Sequence, residues 1–233
     1  AMISRCGLMR KKDDMSMEEF QEYWLDVHGP IAAKMEHLRQ YDQHLVIDNE
    51  HRHPLGQGPI VVDGYSELQF DSYGDMLEGV ASLNGEGAAD VEKFADPNVN
   101  LLVLAKREVI RIPEHLRGKE LIQRVSFLGR ADGVTSEQFK YEWWNVHDHM
   151  VQTAPGCCGY NQNLVIDRIV GGKSVSYDEL PVEGVVEMWF ENQDAFDEFY
   201  ASPEFKRTAQ HGSTFIGKIN TYLTKTFSVV SPS

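Results

Sequence analysis

Residues Met17–Pro30 read MEEFQEYWLDVHGP, and the chain repeats the pattern at Ser136–Asp148, SEQFKYEWWNVHD. Phe20 matches Phe139, Trp24 matches Trp143 and His28 matches His147; 139 − 20, 143 − 24 and 147 − 28 all give 119. The offset persists where Tyr41-Asp42-Gln43-His44-Leu45-Val46-Ile47-Asp48 meets Tyr160-Asn161-Gln162-Asn163-Leu164-Val165-Ile166-Asp167. An ungapped offset across two separated segments marks an internal duplication, so each half is a template for the other. The predicted units are 1–111 and 121–233, joined by a linker at 112–120 that holds Pro113 and Gly118.

Each copy of the opening stretch predicts a helix. Phe20, Tyr23, Trp24, Val27 and Ile31 recur at spacings of three and four, which places them on one face. Ser16 with Glu19, and Thr135 with Gln138, form capping-box patterns at the two starts. The aromatics are expected to pack on a sheet. His28 and His147 fall at the helix end, where a ring can either cap the C-terminus or serve a site.

The net charge of −14 excludes the basic stripe that a nucleic-acid surface needs. At 42% hydrophobic and 25% charged residues the chain reads as globular, and no run reaches the roughly 18 apolar residues of a membrane span. Three cysteines, two of them adjacent (Cys157 and Cys158), make no disulfide framework; together with the absence of an apolar N-terminal run this predicts a reducing, cytoplasmic setting. Ala1 ahead of Met2 reads as the remnant of a cleaved tag.

In order, strands are predicted at 3–9, 41–48, 64–70 and 100–110, with helices at 16–38 and from 72 to 82, resuming at 88. The second half repeats this with strands at 121–128, 159–167, 184–190 and 218–229 and helices at 135–153 and 192–210. By the third strand the offset has become 120, since Glu67 matches Glu187. The order β-α-β-β-α-β is the ferredoxin-like one. Such a sheet carries helices on one face and must cover the other. The predicted class is therefore α+β: two ferredoxin-like (βαββαβ) repeats whose bare faces meet in an intrachain dimeric α+β barrel. That closure removes the need for a homodimer without forbidding one.

The element order, the Phe-Trp-His spacing with Pro30 after His28, and the third-strand Glu resemble the EthD family of dimeric α+β barrel proteins, once per repeat. The second copy departs from the pattern at Asp148-His149-Met150, where the first has Gly29-Pro30-Ile31. The resemblance implies a fold more firmly than a reaction. Related barrels include cofactor-free isomerases, lyases, dehydratases and decarboxylases of cyclic compounds, and monooxygenases.

Alternation sorts the candidate residues by face. Leu68, Phe70, Met188 and Phe190 are expected against the helices, as are Leu45 and Ile47. Tyr65, Glu67, Gln69, Val185, Glu187 and Trp189 then face the barrel interior, with His44 and Asn163. Arg5 and Arg124 are also expected inside, either paired with the glutamates or gripping a substrate carboxylate. A water-poor cavity shifts carboxyl and imidazole pKa values towards neutrality, which suits proton transfer. The expected function is that of a cofactor-free lyase or isomerase for a small cyclic or aromatic-derived molecule. His28, His44, Glu67, His147 and Glu187 would be catalytic; Arg5, Tyr65, Gln69, Arg124, Asn163 and Trp189 would bind substrate. The first half is favoured because it holds His44 where the second holds Asn163, although His149 and His211 enrich the second. The alternatives are a non-catalytic small-ligand or accessory protein and a monooxygenase or haem-linked oxidoreductase. His51-x-His53 and His147-x-His149 lack the further ligands of a metal site, so none is expected. Nor is there a Gly-rich phosphate loop.

Overall fold

The computed structural model describes residues 2–232; Ala1, with the tag reading attached to it, and Ser233 lie outside them. The first half runs β1 (Met2–Met9), α1, β2 (Gln40–Asp48), the short β3 (Gly56–Gln57), β4 (Gly64–Phe70), α2 (Tyr73–Ser82), α3 (Glu86–Val91) and β5 (Asn100–Ile110). Helix α1 is α-helical over Met17–Tyr23, π-helical over Trp24–His28 and α-helical again over Gly29–Ala32. The second half runs β6 (Ile122–Arg130), α4, β7 (Cys157–Val170), the short β8 (Lys173–Ser174), β9 (Gly184–Phe190), α5 (Gln193–Ala201), α6 (Pro203–Gly212) and β10 (Ile216–Val230). Helix α4 repeats the three-part build with Ser136–Tyr141, π-helical Glu142–His147 and Asp148–Thr153. Both capping boxes form as expected.

The strands follow the order β2-β4-β1-β5-β7-β9-β6-β10, and β10 returns to pair with β2. Each half is thus a ferredoxin-like sheet, and the two are joined edge to edge at β5–β7 and β10–β2 into one closed barrel. The two seams correspond: Lys106 lies opposite Asn163, and Thr226 lies opposite His44. A pseudo-twofold axis therefore relates the halves within a single chain.

Period-2 alternation divides side chains between interior and helix layer. Leu68 and Phe70 pack with Tyr41, Ala32 and Met76 under the first half's helices, while Met188 and Phe190 join Phe139, Trp143 and Phe199 under the second's. Inside, Cys6, Leu8, Tyr65, Leu102, Phe127, Val165, Val185 and Tyr222 fill one end of the barrel. That end is plugged by Ile60 and Val62 from one loop and by Leu180 and Val182 from its counterpart. Ser4, Asp42, Glu67, Gln69, Lys106, Gln123 and Asn161 come at the opposite ends of the same strands, so the other end is polar.

Four expectations are corrected. Arg5 and Arg124 do not enter the barrel, because cross-strand partners share a face: Arg5 lies opposite Leu68 and Val103, and Arg124 lies opposite Met188. Val27 is 45% exposed, whereas His28 is 8% exposed; the wide π-turn rotates the helix by part of a turn and brings the histidine inward in its place. Ile47 is 63% exposed rather than packed on a helix. The last predicted helix is two, broken at Ser202-Pro203, where Ser202 caps the second through the amide of Phe205.

Candidate functional site

The predicted site residues separate into a cluster inside the barrel and two histidine sites in the helix layers.

The barrel cluster lies on the pseudo-twofold axis and draws on both halves. Lys106 Nζ on β5 bridges Glu67 Oε2 at 2.5 Å and Glu187 Oε1 at 2.8 Å. His44 Nε2 lies 3.0 Å from Glu67 Oε1, and its Nδ1 lies 2.9 Å from Gln123 Oε1. Glu187 also accepts from the Tyr65 hydroxyl at 2.7 Å and from the Asn163 amide at 3.0 Å. Gln123 donates to Tyr65 at 2.8 Å, which fixes its oxygen towards His44, Thr224 and Thr226. Burial pushes the Glu67 carboxyl up, but Lys106 and then His44 outweigh it and hold the group well below the usual carboxylate range. Burial opposes charge on His44 too, yet its bond to Glu67 and the charges of Glu67, Glu187 and Asp42 raise its pKa.

The polar end of the barrel opens into a cavity of about 1030 Å³. Asp42, His44, Glu67, Gln69, Lys106, Gln123 and Trp189 line it, and the linker segment Ile112–Ile122 forms a wall through Ile112, Leu116 and Arg117. Asn163, Tyr65 and Glu187 lie beneath this floor. The two halves share this one asymmetric cavity.

His28 and His147 are not in it. Each is set by its π-turn, whose Trp24 or Trp143 carbonyl accepts from a strand glutamine on the helix side of the sheet, Gln43 or Gln162. His28 Nδ1 donates to Asp90 at 2.9 Å, and the Tyr23 hydroxyl donates to the same carboxylate at 2.8 Å. In the second half Glu142 stands at the Tyr23 position and His211 takes the place of Asp90. His211 Nε2 lies 2.8 Å from Glu142 Oε2, and His211 Nδ1 lies 3.0 Å from His147 Nδ1. With His211 donating to the carboxylate, its Nδ1 accepts from His147. The acceptor nitrogen left on His147 is then Nε2. Burial, followed by the neighbouring His211, lowers the His147 pKa to about 3.

His147 borders a cavity of about 70 Å³ between the second sheet and α4/α6, lined also by Arg124, His53, Tyr160, Met188 and Phe205. The Arg124 guanidinium lies 5.2 Å from the centre of the Tyr200 ring, and no carboxylate among the described residues pairs with it. His53 arrives from the first half's loop; burial, then Arg124, then His51 lower its pKa to about 4. His149 is exposed and adds nothing to this pocket. The His51 ring is engaged with the Leu55 carbonyl at 2.6 Å. Cys157 is half-buried, and this burial pushes its thiol up to about 12 and leaves it unreactive at neutral pH.

Sequence reasoning missed Lys106, Gln123, Asp42 and the Glu142–His211 pair. The duplicated octapeptide already held a signal for one of them: Asp42 and His44 face Asn161 and Asn163 in the copy, so both titratable groups are confined to one half.

Residues 12–98 match the EthD domain model, and residues 121–231 match the methylmuconolactone methyl-isomerase model. The fold also resembles solved structures. An anthrone oxidase-like protein superposes with a TM-score of 0.65 at 10% identity, over 98% of this chain and 93% of that one. A putative monooxygenase from Lactobacillus acidophilus gives 0.57 at 12% identity, over 99% and 95%. A putative chlorite dismutase gives 0.52 at 10%, over 98% and 95%. Identities this low carry the fold and no more. No curated protein matches the chain in sequence. No helix among the described residues is long and apolar enough to cross a membrane.

Proposed function

The chain belongs to the dimeric α+β barrel superfamily as a tandem duplication of the EthD-like domain, and on that premise we propose that it is a cofactor-free isomerase or lyase for a small cyclic carboxylic acid. The reaction is general acid–base catalysis in the helix-side pocket of the second half. One observation carries the reading: the Glu142–His211–His147 relay ends on a cavity that also holds an unpaired arginine, in the half matched by an isomerase family model.

The relay supplies the base. Glu142 fixes the His211 tautomer, His211 fixes that of His147, and Nε2 of His147 is left with a free lone pair on a ring that lines the pocket. When that nitrogen takes a proton from carbon, the proton on Nδ1 passes to His211, whose imidazolium Glu142 stabilises, and this offsets the low basicity that burial gives His147. Returning the proton at another carbon completes an isomerisation with no net change in oxidation state. Arg124 offers a two-pronged contact to a substrate carboxylate, and apolar Met188 and Phe205 hold the ring. At about 70 Å³ the pocket must widen to seat such a ring.

Proton NMR in D₂O tests this with methyl-substituted muconolactones and simpler unsaturated lactone acids. The expected result is deuterium uptake at the acidic carbon, lost in His147→Ala. A panel with no exchange, or exchange unchanged in that variant, sinks the proposal. Binding seen by saturation transfer without exchange supports the non-catalytic reading instead.

A further inference from the structure

The barrel cavity contains a second arrangement that the helix-side chemistry does not use. Asp42 and His44, two apart on β2, point to the same side as Glu67 on β4, and one donor atom from each lies within 4.8 Å of the others. We propose that these three side chains bind a first-row divalent metal ion at the floor of the barrel cavity, with its open positions facing the cavity.

Three independent features support this. The first is spacing: His44 Nε2 and Glu67 Oε1 are 3.0 Å apart, the separation of adjacent ligands held at about 2.0–2.2 Å from one ion. The second is the outer shell. A metal-bound histidine donates its other N–H to a fixed acceptor, and bound carboxylates are hydrogen-bonded in turn. Here His44 Nδ1 is held by Gln123, Glu67 Oε2 by Lys106, and Asp42 Oδ2 by the Gln40 amide at 2.7 Å. Each ligand is oriented through the atom it does not present.

The third is charge. Asp42 is 7% exposed and has no cation partner within ion-pair distance among the described residues. In the metal-bound state, where His44 must be neutral, the carboxylates of Asp42, Glu67 and Glu187 exceed the single Lys106 by two negative charges. A divalent ion removes that excess where burial makes it costly. One imidazole and two carboxylates suit zinc, manganese or iron(II). The copy cannot do the same, because carboxamides stand at Asn161 and Asn163, so the stoichiometry is one ion per chain.

Tag-free, chelator-treated protein would be titrated with zinc by calorimetry and with cobalt(II) by visible spectroscopy. The expected result is one equivalent bound and a rise in Tm. Asp42→Asn and His44→Asn should each weaken binding about a hundredfold or more, beyond the 10- to 100-fold that loss of an outer-shell partner such as Gln123 costs. Asp42→Asn makes the exchange already present at Asn161, so its fold is expected to hold, and its Tm without metal checks this. The exposed His37, Asp75 and Glu78 form another donor group, so His37→Asn serves as the control and should bind like the parent. No uptake, uptake unchanged in both barrel variants, or uptake lost only in His37→Asn overturns the proposal.

Discussion

Replacing Lys106 by Met tests the account of the barrel core most directly. The ammonium is almost wholly buried between two carboxylates, one from each half. Methionine keeps the length of the side chain and removes its charge, leaving Glu67 and Glu187 to share His44 alone. Removing one partner of a buried ion pair costs about 3–5 kcal/mol, because the charge left behind stays buried without compensation. Unfolding entropy near 2.1 cal/mol/K per residue converts that into a Tm lower by about 6–10 °C for a chain of this length. The double variant Lys106→Met/Glu187→Gln leaves Glu67 and Asp42 beside His44, one carboxylate fewer, and should recover part of the loss. Thermal unfolding followed by circular dichroism, in chelator at pH 7, measures both. A single variant within about 2 °C of the parent, or a double variant below the single, would refute the claim that charge balance holds this core.

His147→Ala should lower turnover of a confirmed substrate by about a hundredfold or more, the range for a lost general base, and His211→Asn should lower it less while shifting the pH–rate profile. Arg124→Met should raise KM by about 10- to 150-fold, from a charge-assisted bond worth about 1.5–3 kcal/mol, with a smaller change in kcat. His147 and His53 hold folded pKa values of about 3 and about 4 against an ordinary 6.5. The unfolded chain therefore binds more protons in that window, stability falls as pH drops below about 6.5, and His147→Asn should flatten the slope. An added Cβ at Gly184 would meet the Trp143 ring at 2.4 Å, and one at Gly64 would meet Trp24 at 2.8 Å. Alanine at either should cost about 1–3 kcal/mol, read by denaturant titration, with the larger loss at Gly184.

The fold was legible because the duplication doubled every signal. A capping box, an aromatic pair and a histidine at constant offset specify one unit twice, and a half-covered sheet demands its partner. The faces of β4 and β9 were legible because glutamate alternates with large apolar residues. Those of β1 and β6 were not, because both sides of these strands are covered and no polar face marks the solvent. Pairing Arg5 with Glu67 by charge then chose the wrong side, where Cys6 opposite Glu67 and Arg5 opposite Leu68 decide it. Lys106 opens a Lys-Arg-Glu run late in its strand, which reads locally as a solvated edge. Only closure of the barrel buries it. The His147–His211 contact joins residues 64 apart on separate helices, beyond the reach of any local pattern.

Because the linker places both halves of the barrel in one chain, assembly is a unimolecular event, and its midpoint should not depend on protein concentration. Covalent fusion also lifts a constraint on change. In a symmetric dimer every substitution near the twofold axis is made twice, so an aspartate or lysine gained at the centre arrives with its own repelling duplicate. Here the two sides mutate separately. His44 can face Thr226 while Asn163 faces Lys106, a lopsided pairing that two identical subunits cannot encode.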